Sequence, residues 1–118
     1  MSIEARVKAA LEGFGDPVEK SMFSAKTSEL PARYYTFVCK SFGGDFGDDS
    51  PGHERWLVTV HFFAPLGQNW NKRVKETKRI LFQAGFTWPR FTDATDQYGQ
   101  HFVFECEMAE GVEEMEDE

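Results

Sequence analysis

The apolar positions of this chain change period several times along its length, and each change marks an element. Ile3, Val7, Ala10, Leu11 and Phe14 recur at three- and four-residue spacing, with Ser2 placed to cap and Gly13 or Gly15 placed to close. That pattern predicts a short amphipathic helix over residues 2–13. Asp16-Pro17 and Pro31 then break the chain, leaving only a weak strand signal at residues 18–23. "RYYTFVCKSF" and "ERWLVTVHFFAP" are dense in aromatic and β-branched residues and alternate with period two, so both predict strands. In the second, Trp56, Val58, Val60 and Phe62 share one face, while Leu57, Thr59, His61 and Phe63 share the other. The glycine- and aspartate-rich "GGDFGDDSPGH" joins them. A hairpin built on it has a loop longer than the usual two to five residues.

Helical spacing returns after Pro65 and Gly67. Asn69 or Asn71 can cap a helix that runs to Ala84, and Gly85 is placed to terminate it. "FTWPRFTDATDQYGQHFVFECEM" predicts a closing hairpin whose first arm carries Pro89 and therefore belongs at a sheet edge. In its second arm Phe102, Phe104, Cys106 and Met108 alternate with His101, Val103, Glu105 and Glu107. The order α-β-β-α-β-β predicts an α+β domain, a mostly antiparallel sheet with two helices on one face.

At 118 residues, 41% hydrophobic and 15% aromatic, the chain has the size and composition of one folded domain, placed at residues 1–109. Residues 110–118, "EGVEEMEDE", carry six carboxylates and no cation, the composition of an acidic, disordered tail. The formal net charge is −7, yet removing these six acids from the total of 20 leaves 14 against 13 bases. The acidity is therefore concentrated in the tail. It opposes general nucleic-acid binding, because phosphates are repelled. The opening "MSIEARVKAALEGF" has an early acid and no apolar core of a leader, and no apolar run approaches the roughly 18 residues of a membrane span. Cys39 and Cys106 lie in strand-like runs without CxxC spacing, which predicts buried, reduced thiols in a cytoplasmic protein rather than a disulfide.

Against that acidity, "KRVKETKR" at residues 72–79 packs five cations into eight positions. On a helical wheel Trp70, Val74, Thr77, Leu81 and Ala84 form the core stripe, with Ile80 at its margin. Lys72, Lys75 and Arg79 face away from it, and Lys78 and Arg73 flank it. Lys72 and Glu76 are spaced to pair, whereas Lys75 is crowded by Lys78 and Arg79. Each such like-charge spacing costs on the order of a few tenths of a kcal/mol, so the face gains from an external anion. Phe82 stands among Lys75 and Lys78, off the core stripe. A solvated helix face, a protein-docking face and a nucleic-acid surface all accommodate this pattern. An aromatic ringed by cations fits docking, whereas no RNP signature supports nucleic acid. Acidic complements exist in the same chain: Asp45, Asp48 and Asp49, and the tail.

Catalytic signatures are missing from the sequence. His53, His61 and His101 occur without HExxH or Cys-x2–4-Cys spacing, and read as sheet and loop residues. "DFGDDSPG" lacks the spacing of a calcium loop, "GGDFG" lacks the lysine of a phosphate cradle, and no GxSxG occurs. The chain is predicted not to be an enzyme and to take no cofactor and no metal. The competing classes are a small cytoplasmic ligand- or nucleic-acid-binding module, and an enzyme that pairs His61 or His101 with a carboxylate in a concave pocket.

"ARYYTFVCKS", an Asp-rich loop, "ERWLVTVHFFAPLG", "KRVKETKRILFQAGFTW", a tyrosine-glycine turn and "HFVFECEM" together resemble tail-terminator proteins of long non-contractile-tailed phages and prophages. The likeness spans about residues 2–108 and is one of element order and hydrophobicity. It implies a small α+β domain, six copies of which close into a ring at the head-proximal end of the tail tube. Such a ring stops tube polymerisation and prepares the tail for head joining. The implied partners are the chain itself, the tube protein and a head–neck connector protein. The implied location is the host cytoplasm during assembly and then the virion tail. A head–tail completion role in the same machine is the neighbouring expectation. Within such a ring, Lys72, Lys75, Lys78, Arg79 and Phe82 are the expected patch, and Asp45, Asp48 and Asp49 or the tail its complement. Residues 43–52 have contact with the tube or neck as a further use.

Overall fold

The computed structural model describes residues 2–21, 31–43 and 54–109. Its elements are α1 (Ile3–Glu12), β1 (Val18–Lys20), β2 (Tyr34–Gly43), β3 (Glu54–Ala64), α2 (Asn71–Gln83), β4 (Arg90–Asp93) and β5 (Gln100–Ala109). The strands form one mixed five-stranded sheet in the order β1-β2-β3-β5-β4. β2–β3 and β4–β5 are the two predicted antiparallel hairpins, and β3 pairs antiparallel with β5 between them. The expected order α-β-β-α-β-β is corrected at one point. Residues 18–20 form a third early strand, parallel to β2, with Val18 opposite Tyr35. Only Val18 of its three residues is buried, so the strand is too short to display an alternation. Ser21, at φ 69°, turns the chain away immediately after it.

Side-chain parity follows the sequence closely. Tyr35 and Phe37 from β2, Val58, Val60 and Phe62 from β3, and Phe102, Phe104, Cys106 and Met108 from β5 are buried on one face. Ile3, Val7 and Leu11 of α1 and Val74, Thr77 and Leu81 of α2 are buried as well, and their apolar members share one cluster with that face. Full burial of each such apolar side chain contributes about 1.5–3 kcal/mol, so this layer is what holds the helices on the sheet.

The helix ends are set locally. Ser2 accepts a hydrogen bond from the Ala5 N–H at 3.1 Å, as its capping position predicts. For α2 neither candidate asparagine is the cap: Trp70 takes the N-cap position without a side-chain hydrogen bond, and Asn69, one residue earlier, accepts from the Asn71 N–H through Oδ1 at 2.8 Å. Gly85, at φ 108°, takes the left-handed conformation that ends α2. Arg6 Nη1 donates to the Ala84 carbonyl at 3.3 Å and ties α1 to that end.

Candidate docking surfaces

α2 divides the charge cluster at residues 72–79 into an outer face and one inward-turned member. Lys72, Lys75 and Arg79 are exposed, as the wheel predicts. Lys78 is half-buried, with its Nζ 5.0 Å from the centre of the Phe91 ring, a cation–π contact across to β4. Phe82 is 54% exposed and meets Trp88, 55% exposed, edge to face at 5.6 Å between ring centres. Trp88 was not among the expected interface residues. Its signal was present, an aromatic three residues past a helix-ending glycine, but periodicity assigned that segment to an edge strand.

Arg73 is the inner, partly buried member. Its Nη1 donates to Asp16 Oδ2 at 2.6 Å, and the two side chains are only 17% and 8% exposed. The guanidinium also lies over the rings of Phe14, Phe62 and Trp70 at 4.7, 5.3 and 5.8 Å. Arg33 approaches Asp16 from the other side at 3.4 Å. Beside this cluster the Tyr35 hydroxyl and Thr77 Oγ1 lie 2.9 Å apart, and Thr77 donates to the Arg73 carbonyl at 2.8 Å. Five cations in the sequence thus become four available to a partner and one structural ion. A wheel cannot show this, because Asp16 lies 57 residues away.

No described element covers the other face of the sheet. Tyr34, Leu57, Phe63 and Val103 lie half-exposed on it. Tyr34 stacks on Phe63 at 4.8 Å, and Phe63 on His101 at 4.3 Å. His61 Nδ1 and His101 Nε2 are hydrogen-bonded at 2.8 Å, so the two histidines, expected to be ordinary sheet residues, form a pair. Adjacent strands and equal parity bring them together; neither position alone signals it. Both imidazoles are held below their usual pKa, first by burial; for His61 the neighbouring His101 adds to this and Glu105 opposes it, while Asp96 and Asp93 oppose it for His101. A concavity of about 450 Å³ opens at this end of the face, lined by Pro31, Tyr34, Phe63, Pro65, Tyr98 and His101 among others. A pair of imidazoles bonded to each other falls short of the three or four protein ligands zinc takes. Among the described residues no group of three or more His, Cys, Asp or Glu side chains converges.

Cys39 and Cys106 are free thiols, half-buried and buried. Burial pushes their pKa values up to about 11 and about 12, with the charge of Glu4 adding to the first and the neighbouring Cys39 to the second. Neither is a reactive thiolate near neutral pH. His53, the expected acidic complement Asp45, Asp48 and Asp49, the 43–52 connection beyond Gly43, and the tail at 110–118 lie outside the described residues. Two comparisons, with protein-family models and with curated proteins, found no match to the chain.

Proposed function

We propose that this chain is a tail-terminator protein, which closes into a ring on the head-proximal end of a phage tail tube, stops tube growth and presents a surface for head joining. The observation that supports it best is the pairing of two unlike faces on opposite sides of one sheet. One is a cationic helix layer carrying Lys72, Lys75, Lys78, Arg79 and the exposed Phe82–Trp88 pair. The other is a sheet face that no described element covers, with an aromatic and histidine cluster. Rotational closure requires unlike patches, since each subunit meets its neighbour head to tail. Capping needs no chemistry, only a face that matches the last tube ring and no equivalent face beyond it. Modest affinity per subunit suffices, because six contacts act through effective concentration. The chain itself, the tube protein and the neck connector are the proposed partners. Asp45, Asp48 and Asp49 remain a proposed complement to the basic patch.

Polymerising purified tube protein with and without this chain tests the proposal. The expected result is short tubes bearing a ring at one end. The double variant Lys75→Glu/Arg79→Glu, on exposed positions that leave the core intact, loses the effect. Tubes of unrestricted length with bare ends overturn the proposal.

A second use of the same patch is single-stranded nucleic acid, because exposed aromatics beside cations are a stacking platform. Oligonucleotide affinity that falls steeply with salt, with a slope set by several phosphate contacts, distinguishes it.

A further inference from the structure

We propose that the concavity beside Tyr98 is a seat for a guanidinium group, and that it receives Arg79 of a second copy of this chain. The proposal rests on the ring reading, to which it adds a contact that joins one subunit to the next.

Three strand ends and one turn build the seat. Tyr34 opens β2, Phe63 lies at the close of β3, and His101 lies at the start of β5. Their rings stack in that order, at 4.8 Å and 4.3 Å, and form one wall of the concavity of about 450 Å³. A volume of that size accepts a small-molecule-sized group. Tyr98 also lines it and is 86% exposed, so its ring is open to a cation, which the ring quadrupole attracts. Two acceptors complete the lining. Asp96 accepts from the Tyr98 N–H through Oδ1 at 2.9 Å, which fixes the carboxylate in the turn and leaves Oδ2 for a further donor. Gln100 Oε1 is buried and has no hydrogen-bond partner among the described residues. A buried acceptor without a donor is costly, so a donor brought into the cavity relieves it. Among the described residues that line the cavity there is no Lys or Arg, and burial holds His101 below its ordinary pKa. Aromatic rings, a carboxylate and an amide oxygen together suit a guanidinium. Its plane stacks on a ring while its forked N–H groups reach both oxygens.

The matching group stands on the other layer of the same chain. Lys78 is engaged with Phe91 and Arg73 with Asp16, which leaves Lys72, Lys75 and Arg79 exposed on α2. Arg79 is the guanidinium of these three. It is crowded by Lys75 and Lys78 and so gains from an external anion. Phe82, one turn further along α2, and Trp88 in edge contact with it supply an apolar rim beside it. Arg79 cannot fill the seat of its own protomer. α2 packs on the sheet face formed by Tyr35, Val60 and Phe104, whereas Tyr34, Phe63 and His101 belong to the opposite face. The contact is therefore made between copies, and it joins unlike patches. Each subunit in it still has one seat or one Arg79 to offer, so the contact repeats head to tail until a ring closes.

The test is sedimentation velocity of the full chain across protein concentration at low salt, comparing the wild type with Arg79→Gln and with the double variant Asp96→Asn/Tyr98→Ala. All three positions are exposed, and asparagine keeps the side-chain oxygen that accepts the turn N–H, so both variants retain the fold. Each is expected to associate at least about tenfold more weakly than the wild type. Mixed in equal amounts, the two restore one sound contact, because the glutamine variant keeps its seat and the double variant keeps its Arg79. The mixture is expected to form heterodimers that grow no further. Variants that associate as the wild type does, or a mixture that associates no better than its components, overturn the proposal. Negative-stain imaging of the same samples separates it from the ring. Six-fold rings that persist in both variants overturn the seat and leave the ring standing. Wild-type assemblies that need both sites but extend without closing overturn the ring and leave the seat standing. A wild type that never associates overturns both.

Discussion

The residue that most changes the picture is Arg73. In sequence it is one of five neighbouring cations, and in the fold it is the inner half of a largely buried ion pair with Asp16. Removing one member strands the other charge away from water, which typically costs about 3–5 kcal/mol. Arg73→Ala is expected at the low end, about 3 kcal/mol, because Arg33 still stands 3.4 Å from Asp16. Lys75→Ala, on the exposed face of the same helix, is expected within about 0.5 kcal/mol of the wild type. Urea unfolding of both variants measures the contrast, and equal losses would refute the division of the cluster. The His61–His101 pair makes a prediction in pH. Both folded pKa values lie below the ordinary imidazole value near 6.5, so the unfolded chain binds protons first as pH falls. Stability is then fully held above pH about 6.5 and declines as pH drops through the histidine range. Thermal melts at pH 7.5 and 5.5 are expected to show a lower midpoint at the acid value, with the difference reduced in His101→Gln. A midpoint that rises on acidification contradicts the sign.

Among the elements, β2, β3, β5 and both helices were legible because each carries at least ten residues, enough for a period of two or of 3.6 to declare itself. β3 illustrates this: Val58, Val60 and Phe62 are fully buried, and Leu57, Thr59, His61 and Phe63 are on the open side. β1 gave only a weak signal at residues 18–23 and stayed out of the expected order because three residues cannot show a period, and its parallel pairing with β2 is a tertiary fact without a local signature. The candidate surfaces divide in the same way. Lys72, Lys75, Arg79 and Phe82 were placed on the outside by the wheel alone. Trp88, the inward turn of Arg73 and the histidine pair depend on residues distant in sequence. The end of α2 offers a prediction of its own. Gly85 combines φ 108° with space already taken, Met108 Cε at 3.0 Å and Arg6 Nη1 at 3.3 Å from a built Cβ. Gly85→Ala therefore adds left-handed strain, roughly 1–2 kcal/mol, to displacement of the Arg6 contact with the Ala84 carbonyl. A loss of at least that size in chemical denaturation is expected, whereas a neutral result would mean that Gly85 does not set the helix end.

At the scale of the whole molecule, one sheet separates a cationic helix layer from an aromatic face that no described element covers, and ring closure by unlike patches is the proposed use of that asymmetry. Its most direct measurement is light scattering coupled to size-exclusion chromatography, across protein concentration and salt, with negative-stain imaging of the peaks. The proposed terminator predicts association at low salt toward a species near 81 kDa, six times the 13.5 kDa chain, seen as six-fold rings and weakened as salt rises. A single 13.5 kDa species at every concentration and salt, with no rings on the grid, would contradict it.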